Sequence, residues 1–170
     1  MKHIEHGGRG AMTSTPAWTA RRQWLGAALA LVATAAGPRP ARAALPQLEV
    51  FRSPTCGCCG AWIEHMEAAG FPVEVRMVPD TAPARSRLGM PARLGSCHTG
   101  LVDGYVIEGH VPAADVRRLL SRRPDAIGLA VPGMPIGSPG MEMGDRRDRY
   151  DVLLVGRGGE TTVFARHPHP

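Results

Sequence analysis

Residues 48–60 read LEVFRSPTCGCCG and contain, in order, a short apolar strand, a break and a turn that leads into a helix. Pro54 ends the strand, the helix is predicted from about Cys59 to Ala69, and Gly70 fits its C-terminal cap. The buried face of this helix is indicated by apolar residues at helical spacing, which are Trp62, Ile63, Met66 and Ala69. Residues 71–78 (FPVEVRMV) alternate in polarity and predict a second strand. The three elements together predict a βαβ unit with parallel strands.

A β-hairpin and a helix are predicted next. Asp103-Gly104 separates the apolar runs 99–102 and 105–111, and this dipeptide between such runs is a strong signal for a two-residue hairpin turn. Residues 112–123 predict a helix with proline at its start. The order of a βαβ unit, a hairpin and a helix predicts an α/β, thioredoxin-like fold.

The C-terminal part adds a loop and a second hairpin to this core. Residues 126–149 are rich in methionine, glycine and proline and predict a loop. Two apolar runs, 150–155 and 160–165, bracket a glycine-rich turn and predict a hairpin. The tail from His167 to Pro170 is expected to be disordered.

The chain is predicted to divide into a cleavable export signal, residues 1–43, and a single metal-binding domain, residues 44–170. Arg21-Arg22 precede an uncharged run that is shorter than the about 20 apolar residues needed to cross a bilayer, so no stable membrane span is expected after cleavage. Ala41-Arg42-Ala43 has the small-x-small pattern of a cleavage site. The arginine pair also resembles a twin-arginine signal, with an ordinary leader or a membrane anchor as the alternatives.

The charge of the chain is concentrated in the predicted signal. Six of the 20 Lys/Arg residues and one of the 15 Asp/Glu residues lie in residues 1–43. The domain therefore carries 14 basic and 14 acidic residues. A formally neutral domain lacks the basic surface with which proteins bind phosphate backbones. Nucleic acid is therefore not expected as a partner.

Three cysteines are concentrated in the turn before the first helix. Cys56 and Cys59 form a Cys-x-x-Cys pair, and Cys58 adds a third sulfur between them. Free backbone N–H groups at a helix N-terminus favour thiolates, which are the nucleophiles of redox chemistry and the ligands of soft metals. The turn is therefore the candidate functional site.

A fourth cysteine is predicted to join this turn. If residue 102 lies opposite residue 105 in the Asp103-Gly104 hairpin, Cys97 lies opposite His110 and both side chains share one face. The start of that strand lies beside the Cys-x-x-Cys turn in a thioredoxin-like core, so the four cysteines and His110 are expected to gather there, with His98 adjacent. A slip of one residue in the hairpin register would move Cys97 to the other face.

Several functions remain open for such a group of thiols. Two structural disulfides are disfavoured because the vicinal pair Cys58-Cys59 can hardly form an unstrained bridge. A thiol–disulfide oxidoreductase would use Cys56 as nucleophile and Cys59 as resolving thiol, but it needs only two sulfurs. Such enzymes also keep a cis-proline where this chain has Ser96-Cys97. A zinc-binding module could use the same ligands.

Methionines in the predicted loop favour Cu(I) over zinc. Met134, Met141 and Met143 carry thioether sulfurs, which are soft donors suited to Cu(I). Methionines that only fill gaps over the core are the alternative. Crowded thiolates can bridge several Cu(I) ions, so more than one ion per chain is allowed.

Four motifs resemble the CopG-like periplasmic copper-resistance proteins: SPTCGCCG at 53–60, SCHT at 96–99, GYVIEGHVP at 104–112 and AVPGMP at 130–135. The resemblance implies a thioredoxin-like fold, a bacterial periplasmic location and a copper site linked to copper tolerance. It also implies ligands at Cys56, Cys58, Cys59 and Cys97, with His110 and the loop methionines less directly. Copper ions and other periplasmic copper-handling proteins are the expected partners, and a binding protein is a simpler interpretation than an enzyme.

Overall fold

The computed structural model describes residues 44–167, so the predicted export signal lies outside the described residues. Within this part no helix has the length and apolarity needed to cross a membrane. The strands are β1 Leu48–Arg52, β2 Val73–Met77, β3 His98–Val102, β4 Tyr105–Glu108, β5 Gly128–Ala130, β6 Tyr150–Val155 and β7 Thr161–His167. The helices are α1 Gly57–Ala68, α2 Ala82–Arg87 and α3 Ala113–Arg122, with a 3-10 turn at Ala92–Leu94.

The seven strands form one mixed sheet in the order β2-β1-β3-β4-β5-β6-β7. Strand β1 pairs in parallel with β2, as the predicted βαβ unit requires, and antiparallel with β3. Strands β3 and β4, and β6 and β7, form the two antiparallel hairpins. The α/β prediction is confirmed, and the strand order β2-β1-β3-β4 is compatible with a thioredoxin-like core.

Two hydrophobic clusters lie on opposite faces of the sheet, because neighbouring side chains along a strand point to opposite sides. In β4, Ile107 belongs to the larger cluster and Val106 to the smaller one. The larger cluster receives Trp62 and Met66 from α1 together with the apolar face of α3. Helix α1, which carries the cysteine turn at its N-terminus, is thus held by a fully buried tryptophan.

The predicted hairpin register is confirmed. Val102 pairs with Tyr105 and Thr99 pairs with Glu108. Asp103 and Gly104 have φ angles of 47° and 83°, as a tight hairpin turn with two left-handed residues requires. Continuing this register outward places position 97 opposite position 110, where the ladder has ended.

The expected loop at 126–149 contains a strand that the sequence pattern does not reveal. Strand β5 is only three residues long, which is too short to show an alternation, and it pairs in parallel with β4. Its first residue, Gly128, lies so close to β4 that a Cβ atom there would overlap with the carbonyl oxygen of Val106. Strand β5 joins the C-terminal hairpin to the core sheet.

The first residue of the tail, His167, belongs to a strand, contrary to expectation, while residues 168–170 lie outside the described residues. His167 is the last residue of β7, and its ring stacks on Tyr150 with 4.8 Å between the ring centroids. Its Nε2 atom lies 2.7 Å from the carboxylate of Asp115, a buried residue in the first turn of α3. This contact connects the C-terminal strand to α3. The alternating histidines and prolines of residues 167–170 gave no sequence signal for it.

Candidate metal centre

The cysteine turn is built on the first turn of α1. Cys56 is the N-cap residue, and Cys58 and Cys59 lie within the first turn of the helix. The helix begins at Gly57, two residues earlier than predicted, so the vicinal cysteines are helical and point in different directions. Cys59 is fully buried, whereas Cys56 and Cys58 are partly exposed.

Cys56 and Cys59 form a disulfide, with 5.5 Å between their Cα atoms. Cys58 and Cys97 are free thiols. One bridge therefore exists, within the Cys-x-x-Cys pair, and the remaining two cysteines keep their thiols. The structure shows the site in a half-oxidised form.

All four cysteine sulfurs lie within 4.8 Å of one another. We call Cys56, Cys58, Cys59 and Cys97 the cysteine cluster. Within it, the Sγ atom of Cys58 is 3.4 Å from that of Cys56 and 3.8 Å from that of Cys97. The predicted approach of Cys97 to the helix turn is thus present in the structure.

His110 contacts the cluster through Cys97, as the hairpin register predicted. Its Nε2 atom lies 3.1 Å from the Sγ atom of Cys97, and its Nδ1 atom lies 2.8 Å from the carbonyl oxygen of Pro139. A carbonyl oxygen can only accept, so Nδ1 carries the proton and Nε2 presents its lone pair to the cluster. Burial lowers the pKa of His110, which favours the neutral imidazole that binds metals.

His98 is a site residue that the sequence reasoning placed only as a neighbour. Its Nδ1 atom is 3.3 Å from the Sγ atom of Cys97, and Cys97, His98 and His110 form a second group of potential ligands within 4.8 Å. Strand alternation argues that residues 97 and 98 point to opposite faces. That rule fails here because β3 begins at His98, so Cys97 precedes the regular strand.

The surroundings of His98 are apolar. The ring is fully buried and packs against Trp62 with 4.2 Å between the ring centroids. Burial, followed by the nearby His110, lowers its pKa to about 3, so the imidazole is neutral. Its Nε2 atom is buried without a hydrogen-bond partner.

Negative charge in the cluster is disfavoured unless a cation is present. Burial, followed by the nearby Cys58, raises the pKa of the Cys97 thiol to about 12. A bound metal ion inverts this balance, because it supplies the opposite charge and deprotonates its thiol ligands outright. The donor set of buried sulfur and neutral imidazole therefore fits a soft or borderline metal ion.

A buried ion pair holds the segment that carries Cys97. Glu108 is fully buried, and its Oε1 atom accepts hydrogen bonds from Arg85 Nε at 2.8 Å and from the backbone N–H of Ser96 at 2.7 Å. Its Oε2 atom accepts one from the Thr99 hydroxyl at 2.7 Å. Arg85 also donates to the carbonyl oxygen of Ser96 at 2.8 Å. Both backbone groups of the residue before Cys97 are thus fixed by one ion pair.

The glycine- and proline-rich loop reaches the cluster at two points. The carbonyl oxygen of Pro139 accepts a hydrogen bond from His110. Gly140, which has a φ of 83°, lies against α1. A Cβ atom at position 140 would lie 2.6 Å from the backbone nitrogen of Trp62 and 2.8 Å from the carbonyl oxygen of Cys58. The loop therefore covers the N-terminal turn of α1, and only glycine fits there.

The loop methionines differ in burial. Met134 is 52% exposed and Met143 is 62% exposed, while Met141, next to Gly140, is partly buried. Gly140 brings Met141 near α1, but two of the three thioethers are open to solvent. Their part in metal binding stays a prediction.

Comparisons with known proteins relate this chain to a family of unknown function and to a copper resistance protein of known structure. The family model described as "Protein of unknown function, DUF411" matches residues 94–141, which include Cys97, His98, His110 and Met134. The solved structure named "Copper resistance protein copG- Form 2" is 51% identical, covers 73% of this chain and 99% of its own, and has a TM-score of 0.70. The one named "Copper resistance protein copG- Form 1" is 52% identical, covers 72% and 98%, and has a TM-score of 0.68. Among curated proteins none matches this chain.

Replacing Glu108 by alanine is expected to destabilise the domain by about 3–5 kcal/mol, because it leaves the Arg85 guanidinium buried and unpaired. Asp125→Ala breaks the exposed pair with Arg157 and serves as the control, for which little change is expected. Chemical denaturation of both variants measures the difference. Equal stabilities would show that the buried pair does not hold the Cys97 segment.

Proposed function

Since the chain belongs to the CopG family of copper resistance proteins, we propose that it is a periplasmic protein that binds Cu(I) through the cysteine cluster. The observation that carries this proposal is the convergence of four sulfurs within 4.8 Å of one another. Thiolates are soft ligands and favour Cu(I) over hard cations. The role in copper resistance follows if the bound ion is kept from other targets.

Full use of the cluster requires the reduced protein. The Cys56–Cys59 disulfide withdraws two of the four sulfurs, and its reduction by two electrons and two protons restores two thiols. Binding of Cu(I) then displaces protons from the thiols, since the metal binds the thiolate. Four thiolates at these distances can also bridge ions, so the cluster has room for more than one Cu(I).

Neutral His110 supports the cluster from the segment that follows β4. Its Nε2 lone pair faces Cys97 while its Nδ1 proton is held by Pro139, an arrangement typical of metal-binding histidines. The loop that carries Met134, Met141 and Met143 supplies additional soft donors. In this proposal the methionines complete or shield the copper site.

The location and the partners belong to the same proposal. Residues 1–43 act as the export signal, cleavage follows Ala43, and the mature domain begins at Ala44. In the periplasm the domain exchanges copper with other copper-handling proteins. The loop over the first turn of α1 limits access to the cysteine cluster from solvent.

An anaerobic titration of the fully reduced protein with Cu(I) against a chromophoric chelator tests the proposal. The protein is expected to take copper from the chelator. Cys97→Ser is expected to lower the Cu(I) affinity by at least about tenfold, since loss of a direct ligand costs no less than loss of a group that orients one, or to reduce the number of ions bound. The Cys97 sulfur links the helix turn to His110, so its loss separates the two halves of the site. Unchanged affinity and capacity in Cys97→Ser would contradict the proposed ligand set.

The substitution Met141→Leu is expected to lower the Cu(I) affinity measurably, since a leucine side chain fills similar space without a sulfur donor. Met77 offers a matched control, because it is 58% exposed and lies on the edge strand β2 rather than on the loop. Met77→Leu should leave the affinity unchanged. Equal affinities for both variants in the same chelator competition would assign Met141 to packing alone.

A thiol–disulfide oxidoreductase is the second candidate, and the disulfide between Cys56 and Cys59 favours it. Cys56, as the partly exposed N-cap residue, would be the attacking thiol. A free Cys58 at 3.4 Å, however, competes for the same sulfur and would form unproductive bridges. We therefore expect no reduction of insulin above the rate of the reductant alone, and turnover that is lost in Cys56→Ser would establish the second candidate instead.

A further inference from the structure

Strand β2 leaves one edge of the sheet open. It is the first strand in the order of the sheet, and among residues 44–167 its only neighbouring strand is β1. Val75 and Met77 are 37% and 58% exposed along this edge. A strand edge with free backbone groups is a template for a further strand. We propose that β2 pairs antiparallel with β2 of a second copy of this chain, around a two-fold axis at Val75.

The backbone of β2 is suited to such a pair. The carbonyl oxygen of Pro72 and the N–H group of Val78 bind β1, so the even-numbered positions face β1. The direction of the backbone groups alternates along a strand, so the N–H and C=O groups of Val73, Val75 and Met77 face the open edge. In the two-fold pair, Val75 exchanges two hydrogen bonds with the partner's Val75, and Val73 exchanges two with the partner's Met77.

The charged residues of β2 are self-complementary in this register. Glu74 lies opposite the partner's Arg76, and Arg76 lies opposite the partner's Glu74. In antiparallel strands these positions, between the hydrogen-bonded pairs, bring side chains closest together, and opposite charges there stabilise the pair. Within one chain Arg76 bonds Glu74 at 2.6 Å and Glu49 at 2.9 Å, so two carboxylates share one guanidinium group. The partner's Arg76 provides Glu74 with a second one.

Other registers of the same strand are disfavoured. Centring the pair on Met77 would place Glu74 opposite the partner's Asp80, so that like charges meet. It would also place Val75 opposite the partner's Pro79, which has no N–H group to donate. Centring the pair on Val73 would leave both charged residues of β2 without an opposite charge. The sequence of β2 therefore selects the register centred on Val75.

The other edge of the sheet is less suited to pairing. In β7, Val163 and Ala165 pair with consecutive residues of β6, which leaves Phe164 as an extra residue. Arg118 donates a hydrogen bond to the carbonyl oxygen of Phe164 at 3.1 Å. Such a bulge twists an edge strand and interrupts its hydrogen-bonding pattern. The pairing of β2 with β1 is continuous, so β2 is the regular edge of the two.

Sedimentation equilibrium of the protein tests the proposal, with reductant present so that no disulfide joins two chains. The paired surface is short, so a weak dimer that forms with rising concentration is expected. Val75→Lys is expected to raise the dissociation constant of the dimer at least about tenfold, because two like charges then meet at the two-fold axis. Val163→Lys is the matched control, because Val163 is 43% exposed on the opposite edge strand, and it should leave the constant unchanged.

Two results of this experiment would overturn the proposal. One is a protein that stays monomeric up to about 1 mM, which would leave the β2 edge to another occupant. The other is a dimer that survives Val75→Lys, with or without a loss in Val163→Lys. Strand β2 contributes no residue to the cysteine cluster, so dimer formation and Cu(I) binding can each fail without the other.

Charge reversal tests the register separately. Glu74→Arg and Arg76→Glu each place like charges opposite one another, so each variant alone is expected to dimerise at least about tenfold more weakly than the unchanged protein. An equimolar mixture of the two restores opposite charges at both positions and should form a mixed dimer. The side chains of Arg76 and Glu74 are 54% and 40% exposed, so neither variant removes a buried group. Unweakened dimers of the single variants, or no mixed dimer from two folded variants, would overturn the antiparallel register.

Discussion

The register of the β3–β4 hairpin is the constraint on which the site depends. The two left-handed residues of its turn, Asp103 and Gly104, fix which positions face each other, and continuation of that register brings Cys97 opposite His110. A shift by one residue would exchange the two faces and remove sulfur and imidazole from α1 together. A turn at one end of a hairpin thus determines the donors that meet at its other end.

Holding Cys97 beyond the end of the strand requires more than the ladder. The ladder ends at Thr99 and Glu108, and the residue before Cys97 is fixed instead by the Arg85–Glu108 pair. A buried ion pair adds little stability over an apolar pair of similar size. Its hydrogen bonds are directional, however, because each polar atom must meet a defined partner. In this fold the pair orients a backbone segment that carries a potential metal ligand.

Much of this molecule could be predicted from its sequence, because its signals are local. The helical spacing around Trp62, the Asp103-Gly104 turn and the spacing of the cysteines give the βαβ unit, the hairpin and the approach of Cys97 to α1. The ion pair was not predictable, since Arg85 lies in a short helix with no strong pattern and Glu108 looks like an ordinary strand residue. His98 could be placed only beside the site, because strand alternation does not show where a residue at the first position of a strand points, and β5 was missed because three residues carry no periodicity. The choice of metal rests on the chemistry of the sulfur donors rather than on their spacing.

His110 has a consequence that reaches beyond its own coordination. One ring nitrogen faces Cys97, and the other donates a hydrogen bond to the carbonyl oxygen of Pro139. The imidazole ring therefore connects the cluster to the loop that covers it. If binding of an ion at Nε2 strengthens the hydrogen bond from Nδ1 to Pro139, the coupling must be reciprocal. Closure of the loop then raises the affinity of the site for the ion by the same factor. Metal binding and loop closure are then coupled equilibria. A protein that binds the loop would therefore change the affinity of the site for the metal.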